Sequence, residues 1–142
     1  FDCQAEPFDS SYQKSDISQK KMSGELLPHL IQSISGLQKE LDRPIKILDC
    51  CCGYGNFAFD LLQKLEEVNV PVETITGFDI SEESISAAQK KHNHPKLTFF
   101  KANLEEFSDQ PEAFDVCLVI FGLHWMNDIN LAVRNIARSL RP

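Results

Sequence analysis

Two aspartates and a pair of glycines are the residues of this chain best suited to bind a small molecule. Asp49 ends a short apolar run, and Gly53 and Gly55 follow it in a turn. Glycine lets the backbone adopt φ > 0 or come close to a ligand, and the free N–H groups that open a helix attract an anionic group. Asp79 closes a second apolar run, and a carboxylate can accept two hydrogen bonds at once. The spacing predicts a cofactor site.

Apolar runs and turn signals predict the elements that must hold these residues in place. A β-branched and leucine run leads into the glycine turn, and an amphipathic segment follows it, which is typical of a Rossmann-like unit. Ser81 and Asp128 are good N-caps for two later helices. The predicted strands cover the segments 45–49, 72–79, 97–100 and 114–121. The predicted helices cover the segments 17–37, 57–68, 82–92 and 129–140.

This alternation of strands and helices predicts an α/β fold with a parallel sheet and helices on both of its faces. The fourth strand is an unbroken apolar run, which is the pattern of a strand buried on both sides. The carboxyl ends of parallel strands lie at one edge of the sheet, where ligands bind in open α/β folds. Asp49 and Asp79 should therefore lie near each other at that edge.

The glycine turn resembles motif I of the class I S-adenosylmethionine-dependent methyltransferases, which reads apolar-apolar-Asp-apolar-Gly-x-Gly-x-Gly. Here it falls on residues 47–55, with Cys51 where the family has its first glycine. The resemblance extends over about residues 44–142. It implies a Rossmann-like sheet with strand order 3-2-1-4, S-adenosyl-L-methionine as the cofactor, and methyl transfer to a small-molecule acceptor.

The resemblance also implies a role for particular residues. The methionine end of the cofactor would lie against Asp49, Cys51, Gly53 and Gly55. Asp79 would accept bonds from the ribose hydroxyls. Asn103 and Leu104 match the position that contacts the adenine amino group, and the Asn103 side-chain oxygen could accept that bond. Ile80 and Ile120 are further residues expected to line the cofactor. The candidate catalytic residues are His124, as a general base for an alcohol or amine acceptor, and Tyr12, on a lid over the substrate.

The segments outside the motif carry three further expectations. Residues 1–16 are polar and read as an irregular N-terminal arm, followed by the cofactor-binding domain over 17–142, and Pro28 should kink or split its first helix. Tyr12, Gln19 and Leu26 loosely resemble the first helix of the malonyl-carrier-protein and other carboxylate O-methyltransferases. Methyltransferase domains normally continue into further strands, so we expect the domain to be truncated after its fourth strand and last helix.

Composition excludes several other classes of protein. With 142 residues the chain fits one domain, and a net charge of −7 without any basic run argues against nucleic-acid binding. No apolar run is long enough to span a bilayer. The five cysteines form no CxxC pair, so no metal site is expected, and Cys50 and Cys52 read as small buried hydrophobes of a cytoplasmic protein. Oligomeric state is left open.

Two alternatives remain at this point. Gly53-x-Gly55-x-x-Ala58 with Asp79 also satisfies the nicotinamide dinucleotide, NAD(P), pattern, although Asp49 would lie awkwardly near a pyrophosphate. A methyltransferase-like binding module without catalysis is the second alternative. If Cys51 follows the family's backbone path, we expect it in the β region with its side chain beside the cofactor. His92 and His94 are expected to be solvated turn residues.

Overall fold

A computed structural model describes residues 8–107, 112–120 and 127–141, with side chains from residue 24 onward. Four helices and four strands are described along this part of the chain, and they alternate except that the last two strands follow each other directly. In chain order they are α1 (Phe8–Leu41), β1 (Ile45–Cys50), α2 (Asn56–Glu67), β2 (Val72–Asp79), α3 (Glu82–Lys91), β3 (Leu97–Lys101), β4 (Val116–Val119) and α4 (Ile129–Ser139).

The four strands form one parallel sheet in the order β3-β2-β1-β4. This confirms the predicted α/β class and strand order. The chain moves outward from β1 to β2 and β3, then returns to the other side of β1 with β4. The order therefore reverses beside β1, where Asp49 pairs with Gly77 on one side and Leu118 on the other. A reversal of this kind opens a crevice at the carboxyl edge.

Each face of the sheet has its own apolar cluster. Successive strand residues point to opposite faces, and those of one face form the first cluster under α1, α2 and α3. Its largest fully buried members are Ile34, Ile45, Ile47, Leu61, Leu62, Leu65 and Ile75. The second lies under α4 and the segment 102–107, and it consists of Leu48, Cys50, Phe78, Leu104, Phe107, Phe114 and Ala132. Helices therefore cover both faces, as predicted.

Local signals in the sequence place several element ends correctly. β2 has the predicted bounds, Val72–Asp79. The Ser81 side chain accepts a hydrogen bond from the Ser84 N–H, and Asp128 caps α4 by accepting from the Leu131 N–H. Both caps satisfy N–H groups that have no partner within their helices.

The first helix differs from its prediction. It begins at Phe8 and runs through Pro28 to Leu41, so the expected irregular arm is wrong for residues 8–16 and the expected split at Pro28 is wrong. Pro28 lies on the exposed side of the helix. Leu27 and Ile34 bury the opposite side against the first cluster, and this packing holds the helix together across the proline. The boundary of the arm stays a prediction.

Two further expectations of burial are wrong. β4 covers only Val116–Val119 and is mostly half-buried, because it pairs with β1 on one side only among the described strands. His92 is buried rather than solvated: its Nε2 donates to Asn56 Oδ1 at 2.8 Å and its ring stacks on Phe59. Burial and the charge of Lys91 lower the pKa of His92.

An ion pair joins α1 to β4 at the amino edge of the sheet. Arg43 Nη1 and Nη2 donate to the two carboxylate oxygens of Asp115 at 2.9 and 2.7 Å, and the Lys46 N–H adds a third bond at 2.9 Å. Arg141 Nη1 lies 3.9 Å from the same carboxylate. Burial alone would raise the pKa of Asp115, but these bonds and charges outweigh it and lower the pKa.

Candidate cofactor site

Asp79 organises the carboxyl edge of the sheet. It is the last residue of β2 and is buried, with its Oδ2 accepting the Gly53 N–H and its Oδ1 accepting the Ser81 N–H, both at 2.9 Å. These bonds attach the glycine turn and the start of α3 to the same carboxylate. A carboxylate oxygen has two lone pairs, so each oxygen of Asp79 keeps one position for a further donor such as a hydroxyl.

The turn between β1 and α2 has a left-handed backbone at alternate residues. The φ angles are 59° at Cys51, 57° at Gly53 and 80° at Gly55. The Cys52 N–H donates to the Phe78 carbonyl at 2.9 Å, which ties the turn to β2. The expectation that Cys51 lies in the β region is therefore wrong, and a side chain stands where the backbone favours glycine.

The two glycines of the turn have different surroundings. A Cβ at Gly55 would lie 2.7 Å from the Phe99 ring and 3.2 Å from the Ala88 methyl group, so that position has no room for a side chain. A Cβ at Gly53 would meet nothing within 4 Å. One side of the turn is therefore packed against α3 and β3, while the other side faces open space beside Asp79.

Asp49 is a second buried carboxylate at this edge, with 2% of its surface exposed. Burial and the nearby negative charge of Asp79 raise its pKa to about 7. No Lys or Arg in the described part of the chain lies within ion-pairing distance of Asp49 or Asp79. A bound cation would relieve this concentration of negative charge.

The cysteines around the turn are packing residues rather than reactive thiols. Cys50 is fully buried, as expected, whereas Cys52 is only half-buried against the first cluster, so the expectation that it is buried is wrong. Cys51 is half-buried beside the second cluster. Burial first, and then the charges of Asp79 and Asp49, raise the pKa of Cys51 to about 12. Burial also raises the pKa of Cys117 to about 12. A thiol that stays protonated at neutral pH is a poor nucleophile and metal ligand.

The segment after β3 carries the predicted adenine contact. Its start is attached to the site by the Ala102 N–H, which donates to the Asp79 carbonyl at 3.0 Å. The Asn103 side chain accepts the Glu105 N–H through its Oδ1 at 3.0 Å and is half-buried. The Leu104 side chain belongs to the second cluster, so only its backbone is left to face a ligand at the edge.

The remaining predicted residues are only partly placed. Ile80 directly follows Asp79 and is 46% exposed, which makes it an apolar surface next to the carboxylate. Ile120 follows β4 and packs against the first cluster. Tyr12 lies in α1, outside the residues whose side chains are described, and His124 lies outside the described residues. Both catalytic assignments therefore stay predictions.

Two residues near the site were not predicted from the sequence. Asn135, buried on α4, donates through Nδ2 to the Leu104 carbonyl at 2.8 Å. Glu105 accepts the Asn127 N–H at 2.9 Å through its Oε1. The signal for Asn135 was its position four residues from Ser139 and three from Ala132, which puts a polar residue on the inner side of an amphipathic helix.

Within the described residues, no group of histidine, cysteine or acidic side chains is arranged to hold a metal ion. None of the helices in the same residues is long and apolar enough to cross a membrane.

A family profile for the methyltransferase domain matches residues 47–142. The chain belongs to the methyltransferase domain family. The matched part begins in β1 and contains both carboxylates, the glycine turn and the Asn103 segment. This confirms the predicted class and its cofactor, S-adenosyl-L-methionine, and it favours that cofactor over a nicotinamide dinucleotide.

Individual proteins in the family resemble the chain over part of their length. The phthiotriol/phenolphthiotriol dimycocerosates methyltransferase 1 of Mycobacterium ulcerans is 29% identical over 97 residues, which are 68% of this chain and 34% of that protein. The ubiquinone/menaquinone biosynthesis C-methyltransferase UbiE of Rhizobium rhizogenes is 31% identical over 109 residues, which are 76% of this chain and 42% of that protein. The chain thus spans less than half the length of these relatives.

Solved structures show the same fold. The CMeT domain of the citrinin polyketide synthase is 30% identical, with a TM-score of 0.63 over 70% of this chain and 27% of that one. The DszA carbon methyltransferase has a TM-score of 0.71 at 20% identity, over 83% of this chain and 33% of that one. At that identity the second likeness concerns the fold alone.

The residues present at the carboxyl edge fit S-adenosylmethionine. The two buried carboxylates have no cation beside them in the described part of the chain, and they suit a ligand whose sulfonium and ammonium groups outweigh its single carboxylate, because a net positive ligand favours their ionised form. The open side of Gly53 leaves room beside Asp79, whose oxygens retain acceptor positions for ribose hydroxyls. The bound group would supply an activated methyl, and the residues of this chain would hold and orient it.

Proposed function

We propose that the protein transfers the methyl group of S-adenosylmethionine to a small-molecule acceptor. The observation that carries the proposal is the meeting of Asp49, Asp79 and the glycine turn at one edge of the sheet, with the Gly53 N–H bonded to Asp79. The names of two relatives, one for phthiotriol and phenolphthiotriol dimycocerosates and one for ubiquinone and menaquinone biosynthesis, support an acceptor that is not a macromolecule.

In this proposal, Asp79 holds the ribose, and the Asn103 side-chain oxygen accepts a bond from the exocyclic amino group of the adenine. Asp49 balances the positive charge at the methionine end. A sulfonium is already a good leaving group, so the protein needs mainly to align the acceptor and exclude water. His124, as a general base, and Tyr12, on a lid, remain proposed roles for an acceptor that must lose a proton.

The atom that receives the methyl group is the finer part of the proposal. The loose resemblance of residues 12–27 to carboxylate O-methyltransferases favours a carboxylate oxygen, which needs no general base. The relatives' names favour a carbon atom instead. These acceptors give different products, because a methyl ester releases methanol in alkali whereas a C-methyl group does not.

The test uses the full-length protein with S-adenosylmethionine carrying a labelled methyl group. Carboxylic acids and hydroquinones are offered as acceptors, and the products are treated with alkali. Label in a product that Asp79→Ala fails to form, and that Lys64→Ala forms normally, supports methyl transfer at this site. Binding of S-adenosylhomocysteine in calorimetry without any transfer to either class would favour the catalytically inactive module. Binding of NAD without a response to S-adenosylhomocysteine would contradict the proposal altogether.

A further inference from the structure

The inner side of α4 directs a buried amide at the segment after β3. Asn135 is 3% exposed, and its Nδ2 donates to the Leu104 carbonyl at 2.8 Å. One turn later, the Ser139 Oγ donates to the Asn135 carbonyl at 2.9 Å, a bond that stays within the helix. Of these two buried polar side chains, only Asn135 bonds outside α4, and its partner lies in the segment after β3.

The same segment is attached to α4 in two other ways. Glu105 accepts the N–H of Asn127, which lies just before the helix, at 2.9 Å. Leu104 and Phe107 are buried in the second cluster together with Ala132 of α4. The segment 103–107 is therefore held from the α4 side by two hydrogen bonds and by apolar packing.

Among the hydrogen bonds within the segment 103–107, the one to the Leu104 carbonyl, which also accepts the Asn135 amide, is the longest. Asn103 accepts the Glu105 N–H through its side chain at 3.0 Å and the Glu106 N–H through its carbonyl at 2.9 Å. The Leu104 carbonyl receives only a long bond, 3.4 Å, from the Phe107 N–H. The Asn135 amide is thus the short donor to that carbonyl, and its loss would leave a buried acceptor poorly satisfied.

We propose that Asn135 is a positioning residue for the cofactor. Through the Leu104 carbonyl it fixes the segment 103–107, and so it determines where the neighbouring Asn103 side chain points. The inference rests on the proposed function, in which Asn103 contacts the exocyclic amino group of adenine. Asn135 itself touches no ligand and acts only through the segment.

The test compares two ligands that differ at that amino group. Calorimetry on the full-length protein measures the affinity for S-adenosylhomocysteine and for S-inosylhomocysteine, in which an oxygen replaces the amino group. We expect the protein to prefer the adenine form, and Asn135→Leu to lose about tenfold in affinity for it and most of that preference. Ser139→Ala is the matched control, because it removes a buried hydrogen bond from the same helix without touching the segment. It should keep the preference.

Asn103→Ala separates failure of this inference from failure of the proposed function. If Asn103→Ala loses the preference and Asn135→Leu keeps it, positioning by Asn135 is overturned. If Asn103→Ala keeps the preference, the adenine contact is wrong. Positioning of the segment 103–107 by Asn135 is then judged by amide hydrogen exchange at Glu105 to Phe107 without ligand. Faster exchange in Asn135→Leu than in Ser139→Ala supports positioning, and equal exchange overturns it. Asn135→Asp, which keeps the shape but loses the donor when ionised, replaces Asn135→Leu if that variant does not fold.

Discussion

Buried carboxylates at the two edges of the sheet have opposite electrostatic surroundings. At the amino edge, Asp115 receives two bonds from Arg43 and one from the Lys46 N–H, with Arg141 nearby. At the carboxyl edge, Asp49 and Asp79 lie close enough that the charge of one raises the pKa of the other. The pKa of Asp115 is lowered and that of Asp49 is raised, although both carboxylates are buried.

This difference separates a structural carboxylate from one kept for a ligand. Around Asp115 the charges are balanced within the chain, so the pair holds α1 against β4 whether or not a ligand is bound. Around Asp49 no positively charged side chain of the described residues balances the negative charge, and this lowers the stability of the free protein. Such an arrangement is typical of functional sites, and a positively charged cofactor would complete it.

The largest effect is expected from Asp79→Ala. The substitution removes the ribose acceptor, and each hydrogen bond to a charged group contributes roughly 1.5–3 kcal/mol net of the exchange with water. We expect the affinity for S-adenosylhomocysteine to fall at least tenfold. Asp79→Asn, which keeps one acceptor oxygen, should lose less. Calorimetry measures both affinities and circular dichroism checks the fold. Unchanged affinity in a folded Asp79→Ala protein would show that Asp79 does not hold the ribose.

Asp115→Asn should affect stability instead of binding. Loss of one member of an ion pair leaves the other charge uncompensated, but the Arg43 side chain is 36% exposed. We therefore expect a moderate fall in the free energy of unfolding by urea at pH 7, larger than for a fully exposed pair. Cofactor affinity should not change. Because the pKa of Asp115 is lowered in the folded protein, its contribution is present above the ordinary value of 3.8 and is lost as the pH falls below it.

For that comparison, Lys64→Ala is the control. It removes an ion pair with Glu67 in which both side chains are more than half exposed, and such pairs contribute little to stability. A loss of stability in Lys64→Ala equal to that in Asp115→Asn would contradict the structural role of the Arg43–Asp115 pair. A weaker cofactor affinity in Asp115→Asn would contradict the separation between the two edges.

Asp49→Asn should stabilise the free protein and weaken binding. A carboxyl group whose pKa is raised from 3.8 to about 7 holds its proton in the folded state over that range. The stability of the free protein therefore falls as pH rises from 3.8 to 7. At pH 8 the variant should be more stable by on the order of 2 kcal/mol. Urea unfolding with and without ligand measures both effects.

The pH dependence of binding sharpens this prediction. A bound cation favours ionised Asp49, so the affinity for S-adenosylmethionine should rise with pH up to about 7 and then level off. Asp49→Asn should bind more weakly and lose this dependence. If the wild-type protein and the variant had the same pH profile below 7, Asp49 would not face the positive groups of the cofactor.

The smallest effect is expected at Cys51. A residue with a side chain at φ 59° is strained, so Cys51→Gly should stabilise the protein by up to about 1 kcal/mol and bind the cofactor at least as well. Cys51→Leu should weaken binding. Glu112→Gly is a matched control, because Glu112 has a φ of 53° and is exposed far along the chain from the turn. Glu112→Gly should gain stability without a change in cofactor affinity. Equal affinities for Gly, Cys and Leu at position 51 would mean that this side chain faces away from the cofactor.

Much of this architecture could be predicted from the sequence because its signals are local. The bounds of β2 follow from an apolar run that begins after Pro71 and ends on Asp79. Ser81 and Asp128 cap their helices through bonds to residues three positions away. The order of the strands came from the family resemblance carried by the glycine turn.

The features that could not be predicted depend on contacts between distant segments. Cys51 is held in the left-handed region by a turn whose next residue bonds to β2. His92 is buried because α2 supplies Asn56 and Phe59 beside it. Asn135 lies on the inner side of α4, where its amide donates to the Leu104 carbonyl, 31 residues earlier in the sequence. No periodicity or local composition records such partners.

The central position of β1 has a consequence for how the protein opens. Residues 47–50 are paired with β2 on one side and β4 on the other, and all four are buried. Their amide hydrogens should therefore exchange with solvent only when the whole domain unfolds, whereas those of β3, paired with β2 alone in the described sheet, can exchange through local opening. Asp49 and the start of the glycine turn therefore lie in the part of the domain that unfolds last.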